Sequence, residues 1–396
     1  MFEKLDMAPP DAILGLTEAF KKDTNPKKIN LGTGVFKDAE GRTPILKSVK
    51  LAEERLLKDE QSKTYLGIPG APEYGAVVQP LLFGADHEIV TSGRARTAHT
   101  PGGTGGLRVA GEFLKKLNPT ATIWMSEPTW ANHPSIFQAA GLEVRSYPYY
   151  DAAKKGLNFE GMIETLKTVP AGDAVLLHGC CHNPSGMDPD LDQWKAIAAV
   201  AREQGFMPLF DLAYQGFAEG LREDTAGLRE FCTPGRELIV CSSFSKNFGL
   251  YSERVGAMTI VGTDADTAER GFSHVKLCSR ANYSNPPSHG GKVVVTVLND
   301  PELRALWEQE VTDMRNHINN TRRTFVETLK AKGVAQDFSF ITTQRGMFSF
   351  SGLNKAQVER LRDEFGIYIV GSGRINVAGI AAKDMDPLCE AIAAVL

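Results

Sequence analysis

The sequence predicts an α/β fold, with a mostly parallel sheet covered by helices on both faces and a smaller α+β lobe beside it. Three observations carry this. Through the middle of the chain, short apolar runs (TIWMSEP, AVLLHGC, MPLFDLAY, LIVCSSFS and VGAMTIV) alternate with helical segments such as DLDQWKAIAAVAREQG. Such alternation builds parallel strands, whose faces are buried under the connecting helices. After a long helical stretch at about 301–333 the pattern changes to short strands and helices. With 396 residues, 42% of them hydrophobic, the chain can bury a large core and form more than one lobe.

Taken in order, residues 1–12 contain Pro9-Pro10 and read as an extended arm. Ala12 to Lys22 reads as a short helix, and INLGTGVF as a strand-like run broken by Gly32 and Gly34. Pro44 to Glu60 is predicted helical, with apolar Leu46, Val49, Leu51, Leu56 and Leu57. The alternating region follows. Beyond the long helix, FSFITTQ, GMFSFSG and IYIVGSG read as strands, and KAQVERLRDEFG and DMDPLCEAIAAVL as helices. The expected division is an arm over 1–12, a large domain over 44–311, and a small α+β domain from 13–43 and 312–396. No internal repeat or low-complexity tract interrupts it.

Charge and composition exclude several function classes. Lys and Arg number 44 against 48 Asp and Glu, a net of -4. That argues against nucleic acid as a partner, because phosphate backbones need clustered positive charge. No run approaches the roughly 18 apolar residues of a membrane span. The opening MFEKLDMAPPDAILGL lacks the basic-then-apolar pattern of a secretory leader, so a cytoplasmic protein without membrane attachment is expected. Six cysteines in this length form no disulfide framework.

Several stretches could carry chemistry. In SSFSKNFGLYSERVG, Lys246 follows an apolar strand, where desolvation favours a neutral amine able to form a Schiff base. Ser243 and Ser245 could donate to a phosphate and Arg254 could pair with it. In PLFDLAYQGF, Asp211 ends a buried strand and needs a cationic or hydrogen-bonded partner, which a pyridinium nitrogen would supply. Tyr214 lies three residues on. In TPGGTGGLRVAGEFLKKLN, Gly102, Gly103 and Thr104 open a helix and could hold a phosphate on backbone N–H groups. This turn lacks the dinucleotide fingerprint, since Arg108 stands where its last glycine belongs, and no G-x-x-x-x-G-K-[ST] loop occurs. Each stretch alone is equally compatible with an ordinary loop, cap or turn.

HGCCHNPSG, residues 178–186, invites a metal or redox reading. Adjacent Cys180 and Cys181 would point to opposite faces of a strand, leaving His178, Cys180 and His182 on one face. Zinc needs about four converging ligands, and no C-x-x-C pair supplies the rest. No metal is therefore expected. The thiols read as packing at a strand end, and Asn183 as the polar residue free to meet a ligand.

The motifs GTGVFKD, YLGIPGAPEYG, TPGGTGGLR, GCCHNPSG, DLAYQGF, SSFSKNFGLYSERVG, RANYSNPPSHG, GMFSFSG and GSGRINVAG occur in this order across essentially the whole chain. Together they resemble the class I aspartate/aromatic aminotransferases, in particular the aspartate aminotransferase subgroup. The resemblance implies the fold type I architecture of pyridoxal-phosphate enzymes, with a seven-stranded sheet. It implies that Lys246 carries pyridoxal 5'-phosphate, Asp211 pairs with its ring nitrogen, and Tyr214 and Asn183 bond its ring oxygen. Ser243, Arg254, Gly103 and Thr104 would hold the phosphate, Trp130 would stack on the ring, and His133 would sit behind Asp211. Tyr65 would reach the phosphate of a neighbouring subunit in a homodimer with shared sites. For substrate, Arg374 would clamp the α-carboxylate and Arg280, from the other subunit, the distal one, with Gly34 bringing its backbone close. Guanidinium suits both tasks because it bonds carboxylates bidentately.

The implied activity is ping-pong transfer of the amino group of L-aspartate to 2-oxoglutarate, among small amino acids and oxo acids. The alternatives are an aromatic aminotransferase with the same mechanism and, more distantly, a metal or redox protein using HGCCH.

Overall fold

The alternating apolar runs become the core of one sheet. The computed structural model describes residues 1–7 and 13–396, so Pro9-Pro10 and the start of the first predicted helix, Ala12, lie outside the described residues. The chain divides into two compact units, Pro44–Asn316 and the pairing of Met1–Thr43 with His317–Leu396.

The main sheet of the larger unit has seven strands: β1 (Ala95–Pro101), β2 (Thr122–Glu127), β3 (Glu143–Pro148), β4 (Ala174–His178), β5 (Met207–Leu212), β6 (Leu238–Ser243) and β7 (Val255–Val261). They lie in the order β1-β7-β6-β5-β4-β2-β3. Strand β7 is antiparallel to both neighbours, and the remaining pairs are parallel. The central strands are buried along their length, as their unbroken apolar runs require. Two strands of this sheet escaped the sequence reading, as did the short pair Tyr150–Asp151 and Gly156–Leu157 outside it. The ARTAHTP run of β1 is largely polar, and β3 at the other sheet edge exposes most of its residues. Neither shows a continuous apolar run.

Helix Gly102–Leu117 packs along the sheet through Leu107, Val109, Ala110, Phe113 and Leu114, in one core cluster with Ile123, Leu176, Leu209, Ile239 and Met258. The predicted helix over 44–60 runs from Lys47 to Asp59. Its first turn lacks a capping side chain of its own. Glu310 supplies one, accepting from the backbone N–H of Lys47 at 2.6 Å and of Ser48 at 3.2 Å.

The smaller unit has short elements. Ile29–Asn30 pairs in parallel with Ile367–Tyr368, and Phe348–Phe350 antiparallel with Arg374–Asn376. Helices Lys355–Phe365 and Met385–Val395 enclose a core including Leu361, Leu388 and Ile392. FSFITTQ, read as a strand, is instead a 3-10 turn over Ser339–Thr343. The hydroxyls of Ser339, Thr342 and Thr343 are taken by Asp337 and nearby backbone carbonyls, and such local bonds favour turns over ladders. The long helix spans Pro301–Ala331 and passes from one unit into the other. Its buried Trp307, Val311, Met314, Ile318, Phe325 and Leu329 keep helical spacing throughout.

Candidate active site

The strand register explains where the chemistry gathers. His178 lies opposite Asp211 between β4 and β5, Asp211 opposite Cys241, and Ser243 opposite Gly256. Pro101, at the end of β1, lies opposite Val255, which follows Arg254. Thus His178, Asp211, Ser243, Pro101 and Arg254 all reach the carboxyl end of the parallel strands, the usual ligand edge of such sheets.

Asp211 is 8% exposed. Burial alone would push its pKa up. The hydrogen bond with His133 (Nε2 to Oδ2, 3.0 Å) and the nearby His133, His178 and Lys246 outweigh that and hold it below the ordinary carboxylate range. His133 Nδ1 in turn lies 2.8 Å from the Thr129 hydroxyl, which fixes the ring. His178 packs beside His133, with ring centroids 5.2 Å apart, and burial pushes its pKa down to about 3. A buried carboxylate that stays ionised thus stands beside His133 and a neutral His178. This is a site for a cation, and a protonated ring nitrogen meets that requirement.

Lys246 follows β6 by three residues. Desolvation pushes its amine down to about 8, with Arg254 adding to the shift and Asp211 opposing it. The amine stands 4.9 Å from the centre of the Tyr214 ring. The Tyr214 hydroxyl lies 3.5 Å from Asn183 Nδ2, both side chains being buried. Lys246, Asp211, Tyr214 and Asn183, far apart in sequence, thus occupy one region.

A second cluster forms where helix Gly102–Leu117 begins. Gly102 has φ +70°, and its N–H donates to the Arg254 carbonyl at 3.0 Å. A Cβ at Gly102 would strike the Arg254 guanidinium, and one at Gly103 would come within 3.2 Å of Ser243 Cβ. These contacts leave bare helix-start backbone beside a guanidinium and a hydroxyl, the donor set that a phosphate group requires. Thr104 is the third residue of that helix and half-buried. Pyridoxal phosphate fits this larger unit on both counts, with a buried anion for its ring nitrogen and a Cβ-free cradle for its phosphate.

Trp130 meets His133 edge-on at 5.2 Å, which places it beside Asp211's partner. Arg280, on helix Ala265–Asn282, is exposed and hydrogen-bonded to Ser284. Tyr65 is 88% exposed. In the smaller unit, Arg374 is 4% exposed, donates to the Gly32 carbonyl at 2.7 Å, and stacks on Phe348 at 4.1 Å. A Cβ at Gly34 would come within 2.7 Å of the same Phe348 ring. Asn376, two residues beyond Arg374, donates to the carbonyls of Thr33 and Val35 at 2.7 and 2.8 Å. One short strand therefore holds the Gly32–Val35 loop.

HGCCHNPSG folds differently from a continuous strand. The strand β4 ends at His178, and Cys181 adopts φ +53°. Cys180 and Cys181 consequently come together beside Asp224, instead of on opposite faces. His182 turns the other way, towards His178 and the hydroxyls of Ser126 and Ser185 (2.9 and 2.7 Å). The histidines and cysteines therefore do not form the shared face that their spacing suggests. Three ligating atoms do approach within 4.8 Å in each of two groups, Cys180–Cys181–Asp224 and His133–His178–Asp211. Their carboxylates are already engaged, Asp211 by His133 and Asp224 by four backbone N–H groups. All six cysteines are buried, and none forms a disulfide.

The sequence reading missed two residues here. Asp188 accepts from the N–H groups of Cys181 and His182 at 2.7 and 2.9 Å and so holds the turn that presents Asn183. Gly256 lets β7 lie against Gly102, whose backbone a Cβ would strike. An acid two residues past an NPSG turn was the available signal for the first. The second shows only in the packing.

Comparison with known proteins agrees with this geometry. Residues 26–392 match the family described as Aminotransferase class I and II. An aspartate aminotransferase of Escherichia coli (strain K12) is 58% identical over 396 residues, covering 100% of both chains. An aromatic-amino-acid aminotransferase of Pseudomonas aeruginosa is 46% identical, covering 100% of this chain and 98% of its own. The crystal structure of an aromatic-amino-acid aminotransferase from Burkholderia pseudomallei, covalently bound to pyridoxal phosphate, superposes with a TM-score of 0.97 at 48% identity, over 100% of this chain and 99% of that one. Among the described residues, no helix is long and apolar enough to cross a membrane. With a matching region that takes in nearly every residue, and with a site whose parts suit the cofactor, this chain belongs to the class I and II aminotransferase family.

Proposed function

We propose that this chain is an aspartate aminotransferase that uses pyridoxal 5'-phosphate, moving the amino group of L-aspartate to 2-oxoglutarate to give oxaloacetate and L-glutamate. The observation that carries the reading is Lys246. Its amine is pushed down to about 8, near enough to neutrality to act as a base, and the anionic Asp211 stands nearby.

Asp211, kept ionised by His133, holds the ring nitrogen. Asn183 and Tyr214 hold the ring oxygen, and Trp130 packs on the ring. Gly103, Thr104, Ser243 and Arg254 hold the phosphate, joined by Tyr65 of a second subunit. Bound there, the cofactor supplies a sink for the electron pair released when the substrate Cα–H bond breaks. Lys246 Nζ takes that proton and returns it. Arg374 takes the α-carboxylate and Arg280 of a second subunit the distal carboxylate, with Gly34 bringing its backbone close to the substrate. The high exposure of Tyr65 (88%) and Leu57 (86%) supports burial against another copy, in a homodimer working in the cytoplasm. The two half-reactions alternate, so the kinetics are ping-pong.

The choice of aspartate rests on the 58% identical relative; the aromatic relative at 46% supports the rival substrate. Steady-state kinetics with aspartate and phenylalanine as competing donors separate them. A higher kcat/KM for aspartate is expected, and a higher value for phenylalanine overturns the assignment.

A further inference from the structure

Two buried segments meet beneath the Lys246 amine. One runs through Phe244–Phe248 and carries Lys246. The other runs through Tyr214–Phe217 and presents the ring on which the amine rests at 4.9 Å. Asn247, only 1% exposed, joins them, its Nδ2 donating to the Gln215 carbonyl at 3.1 Å. Both ends of this link are anchored. The Asn247 carbonyl accepts from Trp307 Nε1 at 2.8 Å, and Trp307, fully buried, stacks on Phe248 at 4.5 Å. Gln215 Nε2 donates to the carbonyls of Leu81 and Leu221 at 2.9 and 2.8 Å. Asn247 Oδ1 is buried without a hydrogen-bond partner among the described residues. An amide that leaves one oxygen unsatisfied in the interior is costly, and its other bond must account for its place there.

We propose that Asn247 is a positioning residue for Lys246: its amide clasps the backbone of Gln215 and thereby sets Tyr214 against the lysine amine and keeps water from it. Removing the clasp loosens both segments. Water then reaches the amine, and the amine becomes easier to protonate, because exclusion of water is the main cause of its lowered affinity for protons.

The inference rests on the aminotransferase reading for the purpose of the amine, but its test does not. In cofactor-free full-length protein, the pH dependence of Lys246 acylation by acetic anhydride, followed by mass spectrometry of the Lys246 peptide, reports the amine directly. The wild type should show a midpoint near 8. Asn247→Ala should raise it by about one pH unit. In the holoenzyme the same variant should lower kcat by roughly tenfold while the KM for aspartate stays within about twofold. Asn247→Ser, whose hydroxyl is too short to reach Gln215, should give the same shift and serves if the alanine variant does not fold. A midpoint that is unchanged or lower in a folded variant overturns the proposal, even if the melting temperature falls, since a merely structural role would do only that. A wild-type midpoint in the ordinary lysine range overturns it too. Failure of the aminotransferase reading would show separately, as a wild type without transamination but with the labelling shift intact.

Discussion

Asp211 Oδ2 and His133 Nε2 stand 3.0 Å apart in the interior of the larger unit, and this pair decides the charge of the site. The carboxylate comes from the end of β5 and the imidazole from the first residue of helix His133–Ala139. Nothing local in either segment announces the other. With the neutral His178 beside them, they leave a single anion facing the region of Lys246, and the first expectation follows from that.

Asp211→Asn keeps the size of the side chain and removes its charge. Without the anion, a cationic ring nitrogen loses its partner, and kcat for aspartate should fall by on the order of 1,000-fold. Steady-state kinetics on the holoenzyme check this; a loss under tenfold would show that another group performs the task.

Lys246 gives a pH-dependent stability whose sign is fixed. Its folded value, about 8, lies below the 10.5 of an ordinary lysine. Between these limits the unfolded chain holds the proton and the folded chain does not, so stability rises with pH across the window, and the burden is fully felt below pH 8. Lys246→Met should therefore stabilise the cofactor-free protein at pH 7, by about 1–3 kcal/mol, and the gain should vanish as pH passes 10. Urea unfolding at a series of pH values measures it.

Gly102 sits at φ +70° with the Arg254 guanidinium where a Cβ would go. Gly102→Ala combines backbone strain with displacement of that guanidinium. It should cost about 1–2 kcal/mol of stability and weaken pyridoxal phosphate binding at least tenfold. Equilibrium titration of cofactor-free protein reads the affinity, and denaturant unfolding reads the strain.

Arg374 donates to Gly32, stacks on Phe348, and lies on the strand that holds the Gly32–Val35 loop. Lysine keeps the charge but loses the planar fork and the stacking. Arg374→Lys should raise the KM for aspartate by on the order of 100-fold, with a smaller effect on kcat. An unchanged KM would remove Arg374 from substrate binding.

Much of this architecture was legible along the chain. Central strands buried on both faces must be continuously apolar, so β2, β4, β5, β6 and β7 were visible as runs, and the helix between β4 and β5 was visible by its spacing. The edge strands β1 and β3 were not, because an edge need not be apolar on both faces. FSFITTQ misled for a related reason. Its residues suit a strand, but its hydroxyls are satisfied locally and the segment closes into a turn.

The sequence by itself determined which residues carry reactive groups and in what order: a lysine after one strand, a carboxylate ending another, glycines opening a helix. Their ordered motifs were enough to indicate the family. Only the tertiary structure decided how those groups behave. An amine near 8, a carboxylate ionised although buried, and two cysteines turned away from two histidines all depend on neighbours more than 30 positions distant or on a backbone turn that the residue types do not specify. The physical reason is that desolvation and hydrogen bonding act through space, and proximity in space here is set by strand register.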